Sequence, residues 1–139
     1  MSVRAYALLV AILLGLIGFG ALVPGFAHSP PMDAPALMVS EGYGFVLGLF
    51  PVNVLDSLLY LGFALFGFLV WDRLASPVTF ARATTVCFAV LTVMGLIEPA
   101  STGFGLLPVF GMDVLLHAGL SISGAIFGFV RQPASAARA

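Results

Sequence analysis

The sequence predicts an all-α integral membrane protein, a four-helix transmembrane bundle, and two observations predict this fold class. First, 61% of the residues are apolar and 8% are charged, whereas soluble domains carry about 25% charged residues. Second, four apolar stretches are each long enough to cross a hydrocarbon core of about 30 Å, which takes roughly 20 helical residues. Because only a helix satisfies its own backbone hydrogen bonds within a single segment in lipid, we expect each stretch to be helical.

The predicted spans cover about residues 5–23, 54–71, 77–97 and 112–130 of a single transmembrane domain, residues 1–139. Prolines mark the connections, and Ser76 followed by Pro77 predicts the N-cap and first turn of the third helix. The first stretch is longer than the apolar core of a signal peptide, roughly 7–15 residues. We therefore expect a retained span, with cleavage near residues 25–27 as the alternative.

The five basic residues are all arginines, and their placement indicates an orientation. Arg4 precedes the first span, Arg73 and Arg82 flank the second connection, and Arg131 and Arg138 follow the fourth span. The other two connections contain neither arginine nor lysine. Since basic residues in short flanking loops are retained on the cytoplasmic side, we predict that both termini are cytoplasmic.

The composition also excludes several classes of function. Single, scattered arginines form no basic stripe, which excludes nucleic acid as a partner. Cys87 is the only cysteine in the sequence, so an internal disulfide and a multi-cysteine metal site are excluded, and we expect this residue to pack as a small apolar side chain. No nucleotide loop, hydrolase nucleophile motif, metalloprotease motif or dithiol motif is present, so we expect no enzymatic activity.

An internal repeat relates the second and fourth spans. Residues 49–52 align with residues 106–109 at an offset of 57 residues, and the alignment continues without a gap. It places Asp56 on Asp113, Tyr60 on His117, and two glycines of one span on two of the other. We predict two parallel helix-pair repeats, related by an axis along the membrane normal.

Helical spacing places a stripe of repeat-related residues on one face of each of these two spans. Each stripe is polar near the predicted outer surface and small toward the middle of the membrane, which is typical of helices that approach closely. We predict that spans two and four pack against each other along these stripes. The stripes are Asp56, Tyr60, Ala64, Gly67 and Trp71 on the second span, and Asp113, His117, Ser121, Gly124 and Gly128 on the fourth.

Residues 36–50 form an apolar segment that is too short to span the membrane and too apolar for a solvated loop. We expect it to lie at the outer surface of the membrane, either as interfacial helical backbone or as a re-entrant segment covered by the spans. Either arrangement would satisfy its backbone amides.

A candidate polar cluster lies toward the predicted outer end of the bundle. Its functional interpretation is a proton or ligand site, because ionisable residues inside spans are functional candidates by default. In the structural interpretation, Asp56 and Asp113 cap the first turns of their helices, and His117 is a packing donor. A metal or haem site would need more ligands than His117 and the loop residue His28. The cluster comprises Asn53, Asp56, Tyr60, Glu98, Asp113 and His117.

Two motifs carry a resemblance to a known family. Gly48–Asn53, which reads GLFPVN, and Gly111–His117 resemble motifs of a bacterial family of four-helix membrane proteins catalogued as a domain of unknown function. The resemblance covers roughly residues 45–68 and 105–128. It implies a four-span fold and a location in the bacterial cytoplasmic (inner) membrane, and it supplies no activity.

The same family pattern has histidines on the second span where this chain has Asp56 and Tyr60. The polar positions that the resemblance carries over to this chain are therefore Asn53, Asp113 and His117.

These observations leave three functions open. The first is a non-enzymatic accessory, structural or assembly component that packs against larger membrane subunits or against itself. The second is a small proton-coupled transporter that uses Asp113 and His117. The third is a subunit that binds a quinone, haem or pigment between spans two and four, although no motif in the sequence requires a cofactor.

Overall fold

A computed structural model describes residues 1–131 of the chain, so Arg138 lies outside the described residues. Within that range, four helical segments are long and apolar enough to cross a membrane, as predicted. The helices are α1 (Val3–Leu22), α2 (Val54–Trp71), α3 (Pro77–Gly95) and α4 (Met112–Ala125), and α4 continues as a π-helical turn over Ile126–Val130.

Three of the four helices begin at a side-chain cap. Ser2, Asn53 and Ser76 each accept a hydrogen bond from the backbone N–H three residues further on, and Pro77 occupies the first turn of α3 as predicted. Helix α3 ends two residues before the predicted boundary. Its last turn tightens, because the N–H groups of Leu96 and Ile97 donate to carbonyls only three residues back.

The connection between α1 and α2 contains a small antiparallel sheet, which rules out the interfacial helical backbone, one of the two arrangements expected for this segment. Its strands are β1 (Ala27–His28), β2 (Gly44–Val46) and β3 (Phe50–Val52), in the order β1-β2-β3. No helix lies within residues 36–50. Strand pairing satisfies backbone amides of residues 44–46 and 50–52, and Pro51 is tolerated because β3 is an edge strand.

The helices pack as two pairs, α1 with α2 and α3 with α4. A Cβ placed on Gly67 would lie 2.6 Å from the carbonyl oxygen of Ala7, and one placed on Gly124 would lie 2.9 Å from that of Ala81. These glycines therefore allow close backbone contact within each pair.

The prediction that α2 and α4 pack along their stripes is wrong for the small residues. Ala64 packs beside Gly15 of α1, Ser121 donates to the carbonyl of Thr85 in α3, and Gly128 lies against Arg82. The small residues indicated correctly that a helix approaches closely, but that helix is the sequence neighbour in each pair.

Aromatic rings join the two pairs and fix their relative direction. Tyr6 near the start of α1 meets Phe80 near the start of α3, with ring centroids 6.3 Å apart, and stacks on Phe127 at 4.6 Å. The starts of α1 and α3 therefore share one end of the bundle, here called the arginine end because Arg4 and Arg82 lie there. The opposite end, which carries the three strands, is called the sheet end.

The two arginines at the arginine end bind the last turns of their partner helices. Arg4 donates through Nε to the carbonyl of Val70, and Arg82 donates in the same way to that of Gly128, each at 3.1 Å. Carbonyl groups at a helix C-terminus lack intrahelical partners and carry partial negative charge, so a guanidinium stabilises them.

Candidate functional site

The candidate site lies between the two helix pairs, near the sheet end. Asp56 is in the first turn of α2 and Asp113 is in the first turn of α4, as the sequence predicted. Tyr60 and His117 follow one turn later on the same helix faces. All four side chains are fully buried.

The hydroxyl of Tyr60 is the centre of this arrangement. It lies 2.7 Å from Nε2 of His117 and 3.2 Å from Oδ2 of Asp113, while those two atoms are 4.0 Å apart. One tyrosine from the first pair therefore contacts both polar groups of the second pair. The polar residues of the α2 stripe and the α4 stripe therefore meet at the Tyr60 hydroxyl.

The buried ring of Phe88 packs against the site. The ring centroid of Phe88 is 5.3 Å from that of His117 and 6.3 Å from that of Tyr60. Because the polar side chains are fully buried beside this ring, hydrogen bonds among them are electrostatically stronger than in water.

Several buried polar atoms have no hydrogen-bond partner within residues 1–131. Asp56 is close enough to Asp113 for the two carboxyl groups to interact electrostatically. Buried polar atoms are usually satisfied in folded proteins, so a concentration of unsatisfied ones within a few turns of two helices requires an explanation. The atoms are Oδ1 and Oδ2 of Asp56, Oγ of Ser57, Oδ1 of Asp113 and Nδ1 of His117.

The structure does not support the interpretation of the aspartates as helix caps. The α2 cap is Asn53, which accepts from the N–H of Asp56 at 3.0 Å, and the N-cap of α4 is Gly111, which makes no side-chain cap. The only side-chain hydrogen bond to Asp113 in the described chain comes from Tyr60. Neither carboxyl group therefore caps its own helix, and that of Asp113 accepts from the Tyr60 hydroxyl instead.

Two predicted members of the cluster have other contacts. Asn53 is buried and donates to the carbonyls of Val39 and Leu106, so it ties two connections to the start of α2. Glu98 does not join the cluster, because α3 ends at Gly95 and Glu98 lies exposed in the following connection, where it accepts from Ser101.

Sequence reasoning missed two residues of the site. Ser57 is fully buried with an unpartnered hydroxyl, yet it lies one position beside the predicted stripe. Phe88 is one of 13 phenylalanines in the chain and gave no signal of its position. A polar residue inside a span was a usable signal for Ser57, whereas only packing identifies Phe88.

The contacts around Tyr60 can hold and pass a proton. A hydroxyl has one hydrogen, so it donates to either Asp113 or His117 and accepts from the other. With imidazolium and carboxylate, Nε2–H donates to the tyrosine oxygen and the hydroxyl donates to Oδ2. Moving both protons one step yields neutral imidazole and carboxylic acid. The atoms at the two ends of this chain, Nδ1 of His117 and Oδ1 of Asp113, have no partner among the described residues.

Metal binding has little geometric basis in the described part of the chain. Within residues 1–131, no three side chains of the histidine, cysteine, aspartate and glutamate types converge to hold an ion. Cys87 is a half-buried free thiol on α3.

A family model described as a domain of unknown function (DUF4383) matches residues 4–130. The match includes all four helices and the sheet. No curated protein and no solved structure matches the chain.

Proposed function

The chain belongs to this family of four-span membrane proteins without an assigned activity, and we propose that it is a small, non-enzymatic, proton-coupled transporter. The observation that carries the proposal is the hydrogen-bonded chain His117, Tyr60 and Asp113, buried between the two helix pairs. Ionisable residues inside membrane spans are costly and commonly mark proton pathways.

The unsatisfied atoms favour a proton site over a purely structural contact. A contact that only holds helices together gains most when each polar atom has a partner, and partly satisfied networks are unfavourable. Here both ends of the hydrogen-bonded chain lack a partner among the described residues, and the Asp56 carboxyl group lies nearby. These atoms are available to receive or release a proton when the site opens.

The location between the pairs supports coupling to a conformational change. Contacts within each pair are extensive, while α2 and α4 meet mainly through the Tyr60 side chain. Transporters built from repeats alternate access by moving one bundle against another around a fixed site. Movement of a proton along this chain would change one of the contacts that hold the two pairs together.

Proteoliposomes test this function directly. Proton uptake driven by an imposed membrane potential is followed with a pH-sensitive dye inside the vesicles. Asp113→Asn and His117→Ala are expected to abolish the uptake. Ser123→Ala is the control, because Ser123 is on the same helix but bonds Tyr6 near the arginine end. No uptake with the parent protein, or uptake unchanged in both site variants, would refute the proposal.

A second candidate, an accessory component of a larger membrane complex, is favoured by two apolar grooves. They have volumes of about 310 and 340 Å³. Each contains an exposed glycine, Gly62 or Gly119, with nothing within 4 Å of a Cβ placed on it. Small residues on a lipid-facing surface allow another helix to approach closely.

Purification from native membranes in mild detergent tests the accessory function. A copurifying membrane subunit that is lost in Gly62→Leu/Gly119→Leu would support it. Leu65→Trp is the control, since Leu65 is exposed on α2 outside the groove. Migration of the parent protein as a lone monomer would count against this function.

We also propose that the two helix pairs arose by duplication. At the repeat offset, Gly67 corresponds to Gly124, and each packs on a backbone carbonyl of the preceding helix in its pair. The groove residues of α2 and α4 also correspond one to one. They are Leu58, Leu59, Gly62, Phe63 and Phe66 on α2, and Leu115, Leu116, Gly119, Leu120 and Ser123 on α4.

For the location we propose the bacterial inner membrane, with both termini cytoplasmic and the sheet end outside. The support is the arginine distribution. Arg4 and Arg82 lie at the arginine end, and Arg73 and Arg131 follow the helices that finish there. Basic residues at one end are retained on the cytoplasmic side.

A further inference from the structure

An apolar groove of about 570 Å³ lies at the sheet end, between α1 and the hairpin formed by β2 and β3. Leu13 and Leu16 of α1 and Val23, which follows that helix, form one side, and Leu47 and Phe50 of the hairpin form the other. This groove is separate from the buried polar site. Its volume is within the range of pockets that hold small molecules, about 300–1,000 Å³.

The turn of this hairpin exposes two leucine side chains, one of them at a position where leucine is unusual. Leu47 and Gly48 have φ values of 56° and 69°, and the N–H of Leu49 donates to the carbonyl of Val46. Two central residues with positive φ are the mark of a type I′ turn, in which asparagine, aspartate or glycine is usual at the first position. Leucine occupies that position here, and Leu47 and Leu49 are 64% and 50% exposed.

The groove is continuous with the surface that α1 presents to lipid. Leu16 lines the groove and is 68% exposed, and Phe19 beside it is 62% exposed. From Leu13 to Val23 the groove follows the last part of α1 and its C-cap residue for ten residues, or about 15 Å at the helical rise. That length is half of the roughly 30 Å hydrocarbon core, which is the thickness of one leaflet.

A glycine shapes the part of the groove that is nearest to the sheet. A Cβ on Gly20 would lie 3.1 Å from the ring of Phe26, so the absent side chain lets this ring lie against α1. Phe26 and the hairpin then cover the groove where it approaches the sheet. The groove remains open along α1, toward the bilayer.

From the apolar lining, the leucine-bearing turn and the one-leaflet length, we propose that this groove binds one acyl chain of a phospholipid from the leaflet on the sheet side, with the hairpin tip immersed among acyl chains. The proposal does not depend on the proton-coupled function, because it involves none of the polar site residues.

Tryptophan fluorescence tests the depth of the hairpin tip. Trp71 is the only tryptophan of the sequence, so Trp71→Phe provides a silent background for Leu47→Trp and, as a second reporter, Leu49→Trp. In phosphatidylcholine vesicles with brominated acyl chains, both reporters are expected to lose most of their emission. Asp33→Trp, an exposed position outside the groove, is expected to keep most of it. Retained, red-shifted emission from both hairpin reporters would overturn the proposal.

Native mass spectrometry tests occupancy of the groove. The full chain is reconstituted in phosphatidylethanolamine and phosphatidylglycerol and released from mild detergent in the spectrometer. A one-phospholipid adduct is expected, and it should be lost in Leu16→Trp, which fills the groove. The same substitution at Leu65, which is 61% exposed on α2, should retain it. No adduct on the parent protein, or equal adducts on both variants, would contradict the assignment.

Discussion

Tyr60 is the residue through which α2 reaches the polar groups of α4. Its hydroxyl contacts one atom of Asp113 and one of His117, and all three side chains are fully buried. A buried polar atom that loses its partner costs free energy even when the shape of the core is kept. The contribution of this hydroxyl to stability can therefore be separated from that of its ring.

Tyr60→Phe is expected to lower the free energy of unfolding by about 0.6–2 kcal/mol, because it leaves Asp113 and His117 without their shared partner. Denaturation in detergent, followed by circular dichroism, measures the change. Tyr43→Phe is the matched control, since its hydroxyl bonds the Pro35 carbonyl in an exposed connection. An equal decrease in the free energy of unfolding in both variants would show that the buried hydroxyl of Tyr60 stabilises the protein no more than the exposed hydroxyl of Tyr43.

At the residue scale, the sequence predicted part of the site. Tyr60, Asp113 and His117 share stripes that helical spacing reveals, and they do converge. Glu98 was included because it lies near the end of a span, but the helix stops before it. Ser57 was missed because it lies beside the stripe, and side-chain burial depends on packing that spacing does not specify.

Gly67 and Gly124 define the two helix pairs at the scale of elements. Each has a carbonyl oxygen of the preceding helix within 3 Å of the position that a Cβ would take. These carbonyl groups belong to the helix backbone, so they cannot make room for a side chain unless the two helices separate. The small residues correctly predicted close helix contacts. They do not identify the partner helix, so the pattern was equally compatible with the predicted pairing of α2 with α4 and with the observed pairs.

Gly67→Ala and Gly124→Ala are each expected to destabilise the protein by about 1–3 kcal/mol, because the added methyl group overpacks the helix contact. Gly62→Ala is the control, since nothing lies within 4 Å of its Cβ position. Because alanine favours helix over glycine, the control should be neutral or stabilising. Thermal unfolding in detergent measures all three variants. A stable Gly67→Ala or Gly124→Ala protein would contradict the described packing.

The hairpin shows what an apolar pattern alone leaves undetermined. Residues 36–50 are apolar without a clear period, and a short apolar run fits a helix or a strand equally well. In the structure the segment contains a hairpin whose turn places Leu47 and Gly48 at positive φ. Had the first of them been asparagine, the turn would have been recognisable from the sequence.

For the whole molecule, the sequence was sufficient to predict four spans and insufficient to predict their contacts. Length and hydropathy decide whether a segment crosses a membrane, and α2 occupies the predicted residues 54–71. How helices associate depends instead on side-chain fit between distant segments. The two pairs, joined through Tyr6 at one end and Tyr60 at the other, follow from that fit.

The proposed orientation predicts which loops react outside a cell. In a Cys87→Ala background, a cysteine at Asp33 should react with a membrane-impermeant maleimide on intact cells. A cysteine at Ser2 should react only after the membrane is opened. The reason is that Arg4 and the other arginines hold their end in the cytoplasm. Labelling of the Ser2 position alone on intact cells would reverse the assigned orientation.

The central claim is that the buried cluster gains and releases protons, and infrared difference spectroscopy tests it most directly. The protein in lipid is stepped between two pH values while the carboxyl stretching region is recorded. A carboxyl band is expected in the parent protein, weakened in Asp113→Asn and shifted in Tyr60→Phe, because the tyrosine hydroxyl contacts that carboxyl group. A parent protein without any carboxyl difference band, or an Asp113→Asn spectrum identical to that of the parent, would contradict the claim.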